Sequence, residues 1–123
     1  RRPPISTLFP NTTLFRSFDI LLKKLQSDTK NVAELDSYLQ IMKVNTKISE
    51  KFGTEIITSM HKIIYNSLMM IKLGDSKPDK ETIDSIRACL IVIVALVRNK
   101  EVDIKNYLNR AEEFGKKIKS YLK

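Results

Sequence analysis

Lys80–Asn99 reads KETIDSIRACLIVIVALVRN, and its second half, Ala88 to Val97, is ten apolar residues without interruption. As a helix that run spans about 15 Å, half of the roughly 30 Å hydrocarbon core of a bilayer, so it does not cross a membrane. A helix that is apolar on every side has to be contacted on several sides, which places this one in the interior of a packed domain. The stretch therefore predicts an all-α fold, a four- to five-helix bundle with a central apolar helix at about 80–99.

The flanking residues supply the punctuation such a bundle needs. Asp79 is placed to cap the central helix, and Gly74-Asp75-Ser76-Lys77-Pro78 before it is a stop-and-turn signal. Thr54 to Leu73 carries Ile56, Ile57, Met60, Ile63, Ile64, Leu68 and Ile71 on a broad apolar face, which predicts a core helix. Gly53 separates it from a helix expected from Val32 to about Phe52, with Asn31 as its cap. There Val32, Leu35, Leu39 and Met42 share one stripe, while Val44, Ile48 and Phe52 lie on a rotated one; the shift at Val44-Asn45-Thr46 predicts a bend or a break. A short first helix, Phe18 to Gln26, is expected from Phe18, Leu21, Leu22 and Leu25. Downstream, Asp103 caps a last helix with Ile104, Tyr107, Leu108, Ala111, Phe114, Ile118, Tyr121 and Leu122 on one side. Gly115 costs that helix about 1 kcal/mol relative to Ala, too little to overcome the pattern.

Residues 1–17 read differently. Ser6 to Ser17, STLFPNTTLFRS, is similar over Thr7 to Ser17 to the translation of a sequencing-adapter oligonucleotide, departing from it at Asn11, where tyrosine is usual. We therefore expect residues 1–17 to be an artefact without order, and residues 18–123 to form a single helical domain with a cut N-terminal edge. The sequon Asn11-Thr12-Thr13 falls in that segment, as do three of the four prolines. Without Arg1, Arg2 and Arg16 the 22 basic residues fall to 19, against 14 acidic ones, and the net charge falls from +8 to +5. Cys89 is the sole cysteine, which rules out an intrachain disulfide and leads us to expect an intracellular, cytoplasmic or nuclear, location.

Catalytic grouping is not evident. His61, the only histidine, has Ile57, Thr58, Ile64 and Tyr65 as its helical neighbours, none of them a carboxylate, so the Glu-x-x-His pairing of bundle metal sites is missing. We expect a histidine at the boundary of the core, and an inert Cys89 buried among Ala88, Leu90 and Ile91. No Gly-rich phosphate loop, nucleophile elbow, EF-hand loop or paired-cysteine motif occurs in the chain. Neither a catalytic residue, a cofactor nor a metal is expected. Met69-Met70 at helical spacing reads as core filling.

Charge is unevenly placed. Residues 18–97 hold 11 basic and 10 acidic residues, whereas residues 98–123 hold 8 basic and 4 acidic. Arg98, Lys100, Lys105, Arg110, Lys116, Lys117, Lys119 and Lys123 are therefore the candidates for contacts to nucleic-acid phosphates. An ordinary solvated face accounts for the same residues. Tyr107 and Tyr121 fall on the apolar side and offer no stacking platform.

One stretch, Lys43 to Ile63 (KVNTKISEKFGTEIITSMHKI), resembles the integrase-binding domains of the lens-epithelium-derived growth factor family, helical bundles related to the transcription elongation factor N-terminal domain. Thr54, Glu55, Ile57, Thr58, Lys62 and Ile63 carry the match, with Asp28 and Val32 a looser one; Ile64 and Tyr65 stand where the family has a basic pair. The resemblance implies inter-helix loops that grip short disordered peptides of chromatin and transcription partners. It would bring Asp28, Tyr65 and Asn66 to that surface.

These readings converge on a non-enzymatic helical module that binds a protein partner as one part of a larger protein or assembly. The alternative is a small basic subunit contacting nucleic acid in a ribonucleoprotein or DNA complex. No membrane partner is expected, and self-association is open.

Overall fold

A computed structural model describes residues 20–25, 33–51, 55–75, 77–97 and 103–118. Among them are five helices and no strand: α1 (residues 20–25), α2 (Ala33–Lys51), α3 (Glu55–Lys72), α4 (Lys80–Val97) and α5 (Lys105–Lys117). The protein is an all-α bundle. The adapter-like residues 1–17 lie outside the described residues, as do the expected cap Asn31 and the last residues, Tyr121 and Leu122 among them.

The apolar segment behaves as its composition requires. Ten residues of α4 are buried, including Ile83, Ile86, Cys89, Leu90, Val92 and Ile93. Its start is set by Asp79, whose carboxylate accepts a 2.9 Å hydrogen bond from the Thr82 N–H, the N-cap arrangement that satisfies one of the helix's orphan donors. That bond and the Thr82 hydroxyl hold the Asp79 carboxyl below its usual pKa. Leu96, the penultimate residue of the helix, is 37% exposed, so cover is incomplete there.

α3 touches α2, α4 and α5, and nine of its residues are buried. It ends in a Schellman motif. The Asp75 N–H donates to the Met70 carbonyl at 2.8 Å and the Gly74 N–H to that of Ile71 at 3.2 Å, with Gly74 at φ 79°, a left-handed conformation that favours glycine.

α2 departs from expectation. It runs unbroken through Val44, Asn45 and Thr46, where a bend or break was predicted. The rotated phase arises because this helix buries polar residues: Asn45, Thr46 and Ser49 are all under 10% exposed. The Thr46 hydroxyl donates to the Met42 carbonyl at 2.7 Å and the Ser49 hydroxyl to that of Thr46 at 3.0 Å. Thr58 Oγ1 of α3 then donates to Ser49 Oγ at 2.7 Å, joining the two helices through a hydroxyl seam. Asp36 pairs with Lys72 at 2.6 Å, while Ser49 meets Thr58, so α2 and α3 run antiparallel. Leu21, Leu22 and Leu25 of α1 are buried in the same core.

α5 begins at Lys105 with Ile104 as its N-cap residue; Asp103, one position earlier, accepts a hydrogen bond from the Lys105 N–H at 3.0 Å. Only Ala111 of this helix is buried. Tyr107, placed by its spacing on the apolar side, is 40% exposed.

The position of α4 gives a direct check. Leu90→Ala, at a fully buried site, should cost about 2–5 kcal/mol in urea unfolding, and Leu96→Ala under about 1 kcal/mol. Equal losses would mean that α4 presents a different face.

Candidate interaction site

Among the described residues an open groove of about 430 Å³ lies between α3 and α5, lined by Ser59, Lys62, Ile63, Glu112, Gly115 and Lys116. Its origin is a missing side chain. A Cβ on Gly115 would stand 2.8 Å from Ile63 Cδ1 and 2.9 Å from Cγ1, closer than carbon atoms pack. Glycine therefore lets Ile63 lie against the α5 backbone, and the groove opens beside this crossing. Half-buried Ile63 supplies an apolar wall, and Lys62, Glu112 and Lys116 supply charged rims. Lys62 Nζ also lies 3.4 Å from Glu50 of α2, and Lys116 Nζ 3.9 Å from Glu113. The sequence does mark the spot, because a glycine inside an otherwise good helix asks for a reason. Which residue it faces follows only from the packing.

The cationic residues singled out in the sequence do not form one free surface. Arg98, Lys100, Lys119 and Lys123 lie outside the described residues. Lys105, Arg110, Lys116 and Lys117 are exposed on α5. Arg110 reaches Asp84 of α4 at 3.9 Å, and Lys117 reaches Glu81 at 3.6 Å. With Lys116 beside Glu113, three of the four described cations are thus turned toward acidic side chains of the same molecule, two of them on α4.

The peptide-gripping loops also need correction. Asp28 lies outside the described residues, and Tyr65 and Asn66 sit in the body of α3 instead of in a connection. Tyr65 is half-buried against the core, and Asn66 is 8% exposed. The apolar face of α3 continues through Leu68 and Ile71, so the helix has no reason to end before these two residues.

His61 is drawn deeper than a boundary position, with no exposure at all. Its Nδ1 lies 2.8 Å from the Ile57 carbonyl oxygen, which accepts only, so the neutral ring carries its proton there. Desolvation lowers its pKa to about 4 from an ordinary 6.5, partly opposed by that hydrogen bond. Cys89 is fully buried, and burial pushes its thiol well above the usual range, which removes the thiolate needed of a nucleophile. Among the described residues, no group of three or more His, Cys, Asp or Glu side chains is arranged to hold a metal ion. Among them too, no helix is long and apolar enough to cross a membrane.

Comparison with protein-family models, with curated protein sequences and with solved structures finds no match to this chain.

Two measurements follow from this geometry. In the unfolded chain His61 takes up its proton as pH falls through 6.5, whereas the folded chain resists protonation until about 4. The folded state therefore loses stability across that window, by on the order of 2 kcal/mol between pH 7 and pH 5. Urea unfolding should show this loss in the parent chain and not in His61→Leu. At the crossing, Gly115→Ala should fail to stabilise α5 in the parent. In an Ile63→Ala background it should add about 1 kcal/mol, the ordinary preference for Ala in a helix.

Proposed function

We propose that this protein is a non-enzymatic helical interaction module whose partner contact is the groove between α3 and α5. The observation that carries the reading is the groove itself: an apolar wall at Ile63, no side chain at Gly115, and charged rims on both sides. That combination suits a short amphipathic helix, whose small apolar side chains enter the groove while its polar residues meet Lys62, Glu112 and Lys116. The buried, desolvated states of His61 and Cys89 favour binding over catalysis, since neither presents a reactive atom to a substrate.

The alternative, a basic subunit lying on nucleic acid, draws support from the four exposed cations of α5. It is weakened by the engagement of Arg110 and Lys117 with α4. Phosphate-driven binding would fall steeply with salt and with neutralisation of Lys116, Lys117 and Lys119.

The groove reading is tested by panning a library of helical peptides against the full chain and mapping bound peptides by amide chemical shifts. Selected peptides should perturb Ser59, Lys62, Gly115 and Lys116, and a Ser59→Trp variant, which fills the groove, should weaken them about tenfold or more. Binders that map elsewhere and ignore Ser59→Trp would overturn the reading. Salt-sensitive binding to generic nucleic acid with no groove perturbation would favour the alternative.

A further inference from the structure

We propose that α5 is a releasable strap, attached with little fully buried apolar surface and aligned on α4 by exposed charge pairs, and that its release uncovers the α3–α4 face while the other helices stay folded. The contrast in burial comes first. α3 contributes nine buried residues and α4 ten, whereas α5 contributes Ala111 alone. Ile104, Leu108, Phe114 and Ile118 are only half-buried, and Tyr107 is 40% exposed. Beside the crossing of Gly115 with Ile63 an open groove runs between α3 and α5. Free energies of local opening track buried apolar contacts, so this helix lies at the low end beside α3 and α4.

What aligns α5 on its neighbour is electrostatic. Arg110 and Lys117 stand two turns apart and share one face of α5, and Glu81 and Asp84 share one face of α4. Glu81 pairs with Lys117 and Asp84 with Arg110, which fixes the antiparallel alignment of the two helices. Asp84 also lies 3.7 Å from Arg87 of its own helix, so a single carboxylate serves an arginine on each side of the interface. The side chains of Arg110, Lys117 and Glu81 are more than half exposed, which leaves these attractions weak and open to screening by salt. A segment joined by little apolar area and oriented by screened charges opens as a unit. The proposal stands whether or not the groove beside Gly115 takes a peptide, because it concerns the attachment of α5 alone.

Residue-resolved amide hydrogen exchange on the full chain tests it. Amides of α5 should exchange through an opening about ten or more times as frequent as that of the slowest amides of α3 and α4. Raising sodium chloride from about 50 to about 500 mM, or making the double variant E81Q/D84N, should lower α5 protection a further three- to tenfold or so and leave α3 and α4 unchanged. Should E81Q/D84N also loosen α4, R110Q/K117Q makes the same test from the α5 side. Exchange of α5 only together with α3 and α4 would overturn the proposal. So would an opening indifferent to both salt and the charge variants.

Discussion

The cost of leaving α4 in water organises this molecule. Burying each large aliphatic side chain is worth roughly 1.5–3 kcal/mol, and α4 buries Ile83, Ile86, Leu90, Val92 and Ile93 together. No isolated helix of this composition is tolerable in solution, so the neighbours are selected for cover. α3 supplies cover for α4 on one face and receives α2 on another, which is why it touches three other helices. The turn between α3 and α4 is accordingly closely specified, with a left-handed glycine closing one helix and an aspartate opening the next. The consequence is a gradient of commitment, from an α4 with ten buried residues to an α5 with one.

Much of this was legible in the residues. Period, turn chemistry and caps are local properties, so α3, α4, the Gly74 turn and the Asp79 cap could be read without any tertiary information. The two helical faces of α2 were visible as well, but their meaning was not. A rotation of the apolar stripe is produced equally by a break and by a continuous helix that buries hydroxyls, and only the presence of Thr58 across the interface distinguishes them. His61 was misplaced by the same logic, because whether a residue beside an apolar face is wet or dry depends on the neighbouring helices.

The site was less legible than the fold, for a related physical reason. A groove belongs to the space between elements, and Ser59, Lys62 and Gly115 show no shared pattern until α3 and α5 cross. The basic bias of the C-terminal residues was counted correctly, yet counting cannot show that Arg110 and Lys117 face Asp84 and Glu81. Tyr65 and Asn66 illustrate the opposite error, in which a short family likeness placed a loop where the apolar period of α3 continues.

The hydroxyl seam between α2 and α3 has a consequence for how the sequence is free to vary. Aliphatic cores accept many exchanges of similar volume, since dispersion and burial carry no direction. Ser49 and Thr58 are bound by a different rule: their cross-helix bond has a donor, an acceptor and a fixed angle, and a slip of one helical turn would break it between buried groups. Among descendants of this chain the Leu and Ile positions can drift with one another, whereas Ser49 and Thr58 are tied to each other across the interface. They act as the key of a lock whose tumblers are interchangeable.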